Sequence, residues 1–136
     1  MSRQLFELIL AVRRKCQGNE EQIQRELGLS PAQFNALIVM ADGGEITGCQ
    51  FAERMALSLS RASRVLSKLV DDHYVKIRMS PQDRRTIRAS LTPKGKRTRQ
   101  RMFEHMEACE NRISRGLDLE ELTQVRNALE RLETAL

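Results

Sequence analysis

The stretch that decides the fold is residues 57–95, which read LSLSRASRVLSKLVDDHYVKIRMSPQDRRTIRASLTPKG. Its first third carries one apolar stripe with the period of an α-helix, and we expect Ser60 to cap that helix. The stripe consists of Ala62, Val65, Leu66 and Leu69. The period then changes to two on both sides of a polar turn at residues 80–85, which predicts a β-hairpin. The apolar residues that alternate with polar ones along the two strands are Val75, Ile77 and Met79, and Ile87, Ala89 and Leu91.

Helix starts are marked elsewhere by capping boxes, in which a hydroxyl or carboxylate is followed three residues later by Gln or Glu. The boxes begin at Ser30, Thr47 and Asp118, and Thr92-Pro93 opens a further helix. Together they predict helices at about 3–27 (a break near Gly18 is an alternative), 31–41, 48–56, 93–115 and from 118 onward. The predicted fold class is mainly α with a small β-hairpin wing, that is, a winged helix-turn-helix lobe plus a helical dimerisation region formed by the N- and C-terminal helices.

Positive charge is concentrated in the middle of the chain. The 136 residues carry 23 Lys and Arg against 18 Asp and Glu, a formal net charge of +5. Residues 61–101 hold thirteen of the basic residues and three of the acidic ones, so this segment is at +10 and the rest of the chain at −5. A basic centre between acidic flanks indicates a polyanionic partner, and double-stranded DNA is the first candidate.

The helix face opposite the apolar stripe carries hydroxyl and cationic side chains, which supply donors to base edges and phosphates in a major groove. The hairpin tip adds Arg84 and Arg85, whose guanidinium groups suit a minor groove, and Asp83 lies beside them to orient one arginine. Cations on the strands and the next helix add phosphate contacts. The predicted DNA-binding residues are Ser60, Arg61, Ser63, Arg64, Ser67, Lys68, Arg78, Asp83, Arg84, Arg85, Arg88 and Lys94, with Lys96 as a further phosphate candidate.

Composition argues against several other classes of protein. With 40% apolar and 30% charged residues the chain suits one folded domain, and its longest apolar run, six residues, is too short to span a membrane. Its three cysteines form no CxxC pair and its two histidines lie in different predicted elements, so we expect no disulfide scaffold and no metal site. No Gly-rich phosphate loop or nucleophile–base pair is evident, so we expect neither enzymatic activity nor a cofactor. The N-terminus lacks a signal-peptide pattern, and we expect a cytoplasmic protein.

The chain resembles the MarR family of winged-helix transcription regulators. The resemblance is carried by Ser58-Leu59-Ser60, by Tyr74-Val75, by Ser80-Pro81-Gln82-Asp83-Arg84-Arg85 and by Leu91-Thr92-Pro93-Lys94-Gly95. It implies a homodimer on a pseudo-palindromic duplex, in which each subunit places its recognition helix in the major groove and its wing in the minor groove. It also implies repression of nearby genes, with release by a small-molecule effector or by cysteine oxidation.

Two positions depart from the family's pattern. His73 stands where the family usually has Gly after the recognition helix, so we expect His73 to adopt a positive φ. Ile77 stands where a basic strand residue is common, which removes one phosphate contact, although Lys76 and Arg78 flank it.

The terminal helices carry more apolar surface than one small lobe can bury. The last helix repeats apolar residues at spacings of three and four, the narrow seam of a coiled coil. We expect residues 1–136 to form one domain, in which about 30–92 are the winged-helix lobe and about 1–28 and 93–136 pair two subunits. The predicted dimerisation residues are Leu5, Ile9, Val12, Met106, Ile113, Leu122, Val125, Leu129 and Leu132.

The residues leave two alternatives open. The basic face can meet an acidic protein instead of DNA, although the outward Ser, Arg and Lys side chains favour DNA. Cys49 is a candidate redox residue, because it lies near a helix N-terminus, where the helix dipole lowers a thiol pKa. A thiol-based redox-sensing repressor is therefore the second alternative. Cys16 and Cys109 lie on apolar stripes, and we expect them to pack as small apolar side chains.

Overall fold

The computed structural model describes residues 2–40, 44–83 and 86–136. It confirms the predicted fold class, with six helices and a small antiparallel sheet in these ranges. The elements in chain order are α1 (Leu5–Leu27), α2 (Pro31–Val39), β1 (Ile46–Thr47), α3 (Gly48–Met55), α4 (Leu59–Asp71), β2 (Val75–Met79), β3 (Ile87–Leu91), α5 (Pro93–Gly116) and α6 (Leu119–Ala135). The chain forms two compact units, the first ending at Met102 and the second being Phe103–Leu136.

The predicted capping boxes are confirmed. At α2 the Ser30 hydroxyl accepts from the backbone N–H of Gln33, whose side chain accepts from the backbone N–H of Ser30. Thr47 and Asp118 make the same reciprocal pairs at α3 and α6. Each box satisfies two backbone donors that the first helical turn otherwise leaves unpaired.

Ser60 as the cap of α4 is wrong. The helix begins earlier, because Ser58 has an extended backbone and its hydroxyl accepts from the N–H of Arg61 at 3.2 Å. Ser60 therefore lies inside the first turn.

The first helix has no break near Gly18. The helix α1 runs unbroken through Gly18 and is capped by Gly28, which has the left-handed conformation with φ 68°. A single exposed glycine costs a long helix only about 1 kcal/mol relative to alanine.

The predicted hairpin, β2 and β3, forms two strands of a three-stranded antiparallel sheet with strand order β1-β3-β2. In the hairpin Val75 pairs with Leu91, Ile77 with Ala89 and Met79 with Ile87. The strand β1 was not predicted, because two residues are too few to show an alternating pattern. It pairs Ile46 with Ala89 and Thr47 with Arg88.

The core of the first unit lies between α2, α3, α4 and the sheet. Its largest fully buried side chains are Phe34, Leu37, Met40, Phe51, Leu66, Leu69 and Met102. The inward stripe of α4 is confirmed, with Val65 half-buried and the other three residues buried. His73 has the predicted positive φ, 64°, at the turn into β2. The first turn of α5 approaches that turn closely, because a Cβ on Gly95 would lie 2.1 Å from the carbonyl oxygen of Tyr74.

None of the helices in the described ranges combines the length and the apolar composition needed to cross a bilayer.

Candidate nucleic-acid interface

The outer face of α4 is a continuous polar surface. Its exposed residues are Ser60, Arg61, Ser63, Arg64, Ser67 and Lys68, all predicted for DNA binding. They are held outward because the opposite stripe of the helix is locked into the core. A helix of thirteen residues is about 20 Å long, and a major groove about 12 Å wide admits it. The side chains of Arg61 and Arg64 make no hydrogen bond or ion pair within the described ranges, so their donors are open to a ligand.

Cations cluster at the C-terminal end of α4. The Nζ atom of Lys68 lies 3.8 Å from Oδ2 of Asp72, and the same oxygen accepts from Nε2 of Gln33 at 2.6 Å. The Nζ atom of Lys94 donates to the backbone carbonyl of Asp72 at 2.9 Å and lies 4.5 Å from the centre of the Tyr74 ring. Positive charge at a helix C-terminus is favourable, so the α4 dipole stabilises both ammonium groups there. Burial, and to a lesser degree the Asp72 charge, raises the pKa of Tyr74.

The predicted phosphate residue Arg78 is already engaged. Its Nε atom donates to Oε2 of Glu45 at 2.5 Å and its Nη2 atom to Oε1 at 2.8 Å. This pair lowers the pKa of Glu45 and raises that of Arg78, in each case chiefly through the hydrogen bond between them. Arg88 lies directly opposite Arg78 across the hairpin and is half-buried.

The wing turn is closed by its own polar groups. The Thr86 backbone N–H donates to the Asp83 carbonyl at 3.0 Å, and the Thr86 hydroxyl donates to Oδ2 of Asp83 at 3.1 Å. The Ser80 N–H donates to the Thr86 carbonyl at 2.9 Å. Arg84 and Arg85 lie outside the described residues, so their placement in a minor groove stays a prediction.

Two residues of this surface were missed by the sequence reasoning. Glu45 was overlooked because its role depends on β1, which the sequence did not reveal. Leu59, in the first turn of α4, is 59% exposed beside Ser63 and the N-terminus of α3. The signal that marks Leu59 is an apolar residue at the edge of the inward stripe, three positions before Ala62.

The terminal helices leave the predicted dimerisation residues accessible. Leu5, Val12, Ile113, Val125 and Leu129 are exposed, while Ile9, Met106, Leu122 and Leu132 are half-buried. The N-terminal half of α1 exposes Phe6 and Leu8 as well, which the sequence reasoning did not name. Within one chain, the apolar surface that these side chains form is left partly or fully uncovered.

The cysteines differ from their expected environments in one case. Cys16 is exposed rather than packed and lines a groove between α1 and α2, while Cys109 is half-buried. Cys49 is exposed at the second residue of α3 and lines a groove with Ser63 and Thr86. No group of three or more His, Cys, Asp or Glu in the described ranges is arranged to hold a metal ion.

Comparison with known sequences identifies relatives of this chain. Residues 27–86, which include α2, α3, α4 and β2, match the model of the MarR family. The chain is also similar to the HTH-type transcriptional regulator YfiV of Bacillus subtilis, at 29% identity over 116 residues, or 82% of this chain and 69% of that relative.

Solved structures share the fold. A MarR transcriptional regulator from Methanosarcina mazei Go1 matches with a TM-score of 0.81 at 23% identity, over 96% of this chain and 94% of that one. Wild-type MarR from E. coli in its apo form matches with a TM-score of 0.77 at 20% identity, over 97% and 98%. NadR in complex with 4-hydroxyphenylacetate matches with a TM-score of 0.75 at 18% identity, over 97% of each chain.

Proposed function

We propose that this chain, whose residues 27–86 match the MarR family, is a winged helix-turn-helix transcriptional regulator of that family and a sequence-specific repressor that binds double-stranded DNA as a homodimer. The family and the fold are those of transcriptional regulators rather than of enzymes. The observation that carries the proposal is the open hydroxyl and cationic face of α4, next to the basic wing. The proposed target is a pseudo-palindromic operator whose half-sites lie about 10–10.5 bp apart, centre to centre.

The proposed contacts divide into two kinds. Arg61, Ser63, Arg64 and Ser67 read base edges from α4, where Arg pairs best with guanine. Lys68, Arg88, Lys94 and Lys96 contact phosphates, which supplies affinity without sequence information. Arg84 or Arg85 probes the minor groove, with Asp83 orienting the guanidinium group. A dimer seated on promoter DNA in this way excludes the polymerase, which is why we propose repression.

The test is a binding titration of the purified protein against its own upstream region and against random duplex. Replacing Arg64 with Ala should reduce the preference for the specific duplex by about 1–3 kcal/mol, because a base contact is lost. The control is Arg131→Ala, which removes the same charge from the outward face of α6 and should change neither affinity much. Equal weakening on both duplexes would show that Arg64 contacts phosphate and does not read bases.

The same titration separates the proposal from binding to an acidic protein, since that alternative predicts no preference between duplexes. If the wild type binds neither duplex at low ionic strength, the DNA proposal fails and the acidic partner takes its place. A promoter–reporter assay then tests the sign of regulation, with higher expression expected when the gene for this protein is deleted.

We also propose that a small-molecule effector releases the repressor. A groove of about 360 Å³, within the size range of ligand pockets, lies where α1 meets α2 and is lined by Arg13, Gln17 and Asn35 among others. NadR, which shares the fold, was solved with 4-hydroxyphenylacetate. Thermal melting with 4-hydroxyphenylacetate as a probe should show a rise that Arg13→Ala abolishes. An unchanged melting temperature at millimolar probe would reject this acid as an effector.

A thiol-based sensor is a second candidate for the release mechanism, favoured by the exposure of Cys49 beside Ser63 on α4. Oxidation there would place a polar, bulkier group beside the proposed DNA face. Peroxide should then weaken DNA binding in the wild type and leave Cys49→Ser unaffected. A peroxide response that persists in Cys49→Ser would exclude this residue as the sensor.

A further inference from the structure

One face of the wing sheet gathers three cations and one carboxylate. Across the three strands, Thr47 pairs with Arg88 and Arg88 with Arg78, while Ser90 pairs with Lys76. Since side chains alternate along a strand, these residues share one face of the sheet. Glu45 precedes Thr47 by two residues and lies in the same groove as Lys76, Arg78 and Ser90.

Glu45 reaches across the sheet rather than to its nearest strand. Its carboxylate forms two hydrogen bonds with Arg78 on β2, at 2.5 and 2.8 Å, although β3 lies between the two elements. Ser90 on β3 lines the same groove as both partners. The carboxylate and the guanidinium group form a bidentate pair, which fixes the orientation of the guanidinium group and neutralises its charge.

We propose that Glu45 sets how many cations the wing offers to DNA, by neutralising Arg78 and holding its guanidinium group against the sheet. This inference rests on the proposed DNA-binding function. In this proposal Arg78 does not bind a phosphate, and the phosphate contacts of this face come from the other cations. The carboxylate also faces Lys76 and Arg88, and it lowers the positive potential around both.

The consequence is a lower sequence-independent affinity than the count of wing cations suggests. Each phosphate neutralised by a protein cation steepens the dependence of log K on log salt by about 0.9. A phosphate contact carries no base information, so an acid that cancels one cation lowers binding to all duplexes alike. The ratio of specific to random affinity is therefore unchanged, while both affinities are lower at a given salt concentration.

The test is the salt dependence of duplex binding for Glu45→Gln, which removes the charge and keeps the shape and one hydrogen-bond acceptor. The expected slope is steeper by about 1.8, because a dimer releases one Arg78 in each subunit, which corresponds to roughly sixtyfold tighter binding at 0.1 M salt if the two proteins extrapolate to one affinity at 1 M. The gain should appear on specific and random duplexes equally. The double variant Glu45→Gln/Arg78→Gln should return the slope to that of the wild type.

The control Glu120→Gln removes an equal charge from the exposed surface of α6 and should leave the slope unchanged. Thermal melting of each variant confirms that it is folded, and Arg78→Gln alone provides a second route, since it should change the slope by much less than Glu45→Gln does. An unchanged or shallower slope for Glu45→Gln overturns the inference, as does a gain that survives in the double variant. These failures leave wild-type DNA binding intact, whereas loss of all duplex binding by the wild type overturns the proposed function and this inference together.

Discussion

The winged-helix lobe and the unit Phe103–Leu136 differ in how far their apolar side chains are buried. The lobe buries Phe34, Phe51 and Leu37 almost completely and turns its charges outward. In Phe103–Leu136, a range the structure describes in full, no residue is buried, and Leu129 is 58% exposed. The lobe thus forms its core within one chain, and we propose that a second copy of this chain covers the exposed apolar side chains of the terminal helices.

The largest effect should come from a charge placed on the exposed seam of α6. Leu129→Glu replaces apolar surface that two subunits bury, at about 1.5–3 kcal/mol for each side chain, so dimerisation should weaken by roughly 3–6 kcal/mol. Analytical ultracentrifugation should show a monomer at micromolar concentration. Asn127→Glu, on the opposite side of the helix, adds the same charge and should stay dimeric. If both variants remain dimers, the α6 seam is not the interface.

Shortening a buried side chain in the lobe should lower the stability of the folded subunit and leave dimerisation unaffected. Leu69 is fully buried in the stripe of α4, so Leu69→Ala should lower the free energy of unfolding by about 2–5 kcal/mol. Leu129→Ala should lower stability mainly at low protein concentration, since its contacts form between chains. Urea titrations at two protein concentrations separate these cases. Equal, concentration-independent losses would contradict the contrast between the two regions.

Substitution of two helical glycines, Gly95 and Gly18, compares a close-packed helix surface with an open one. A Cβ at Gly95 meets the Tyr74 carbonyl oxygen at 2.1 Å, so Gly95→Ala should cost about 1–3 kcal/mol of stability. Gly18 has nothing within 4 Å of such a Cβ and lies within α1, so Gly18→Ala should add about 0.5–1 kcal/mol. Thermal unfolding should therefore shift in opposite directions. A Gly95→Ala variant as stable as the wild type would contradict the close approach.

Most helices and the hairpin could be predicted from the sequence, because the patterns that mark them lie within a few residues of one another. Capping boxes at Ser30, Thr47 and Asp118 depend on side chains three residues apart, and the hairpin depends on alternation within five residues. What the sequence hides is non-local or too short to show a period. The strand β1 has two residues, and the start of α4 differed because Ser58 and Ser60 are equivalent cap residues by composition alone.

The candidate site follows the same division. The outward positions of α4 were predictable because an inward stripe fixes the opposite face of a helix. The engagement of Arg78 was not, because its partner Glu45 lies 33 residues away and is brought close only by the sheet. Pairing of distant charges depends on tertiary structure, so a list of basic residues overstates the cations that are open to a ligand.

The salt dependence of wild-type binding tests the central claim most directly. With Lys68, Arg88, Lys94 and Lys96 of two subunits on phosphates and Arg78 withheld, log K should fall with log salt at a slope of about −7. Binding to the operator should exceed binding to random duplex by about a thousandfold or more. A slope shallower than about −2, or equal affinity for both duplexes, would contradict a dimeric winged-helix repressor that reads DNA through α4.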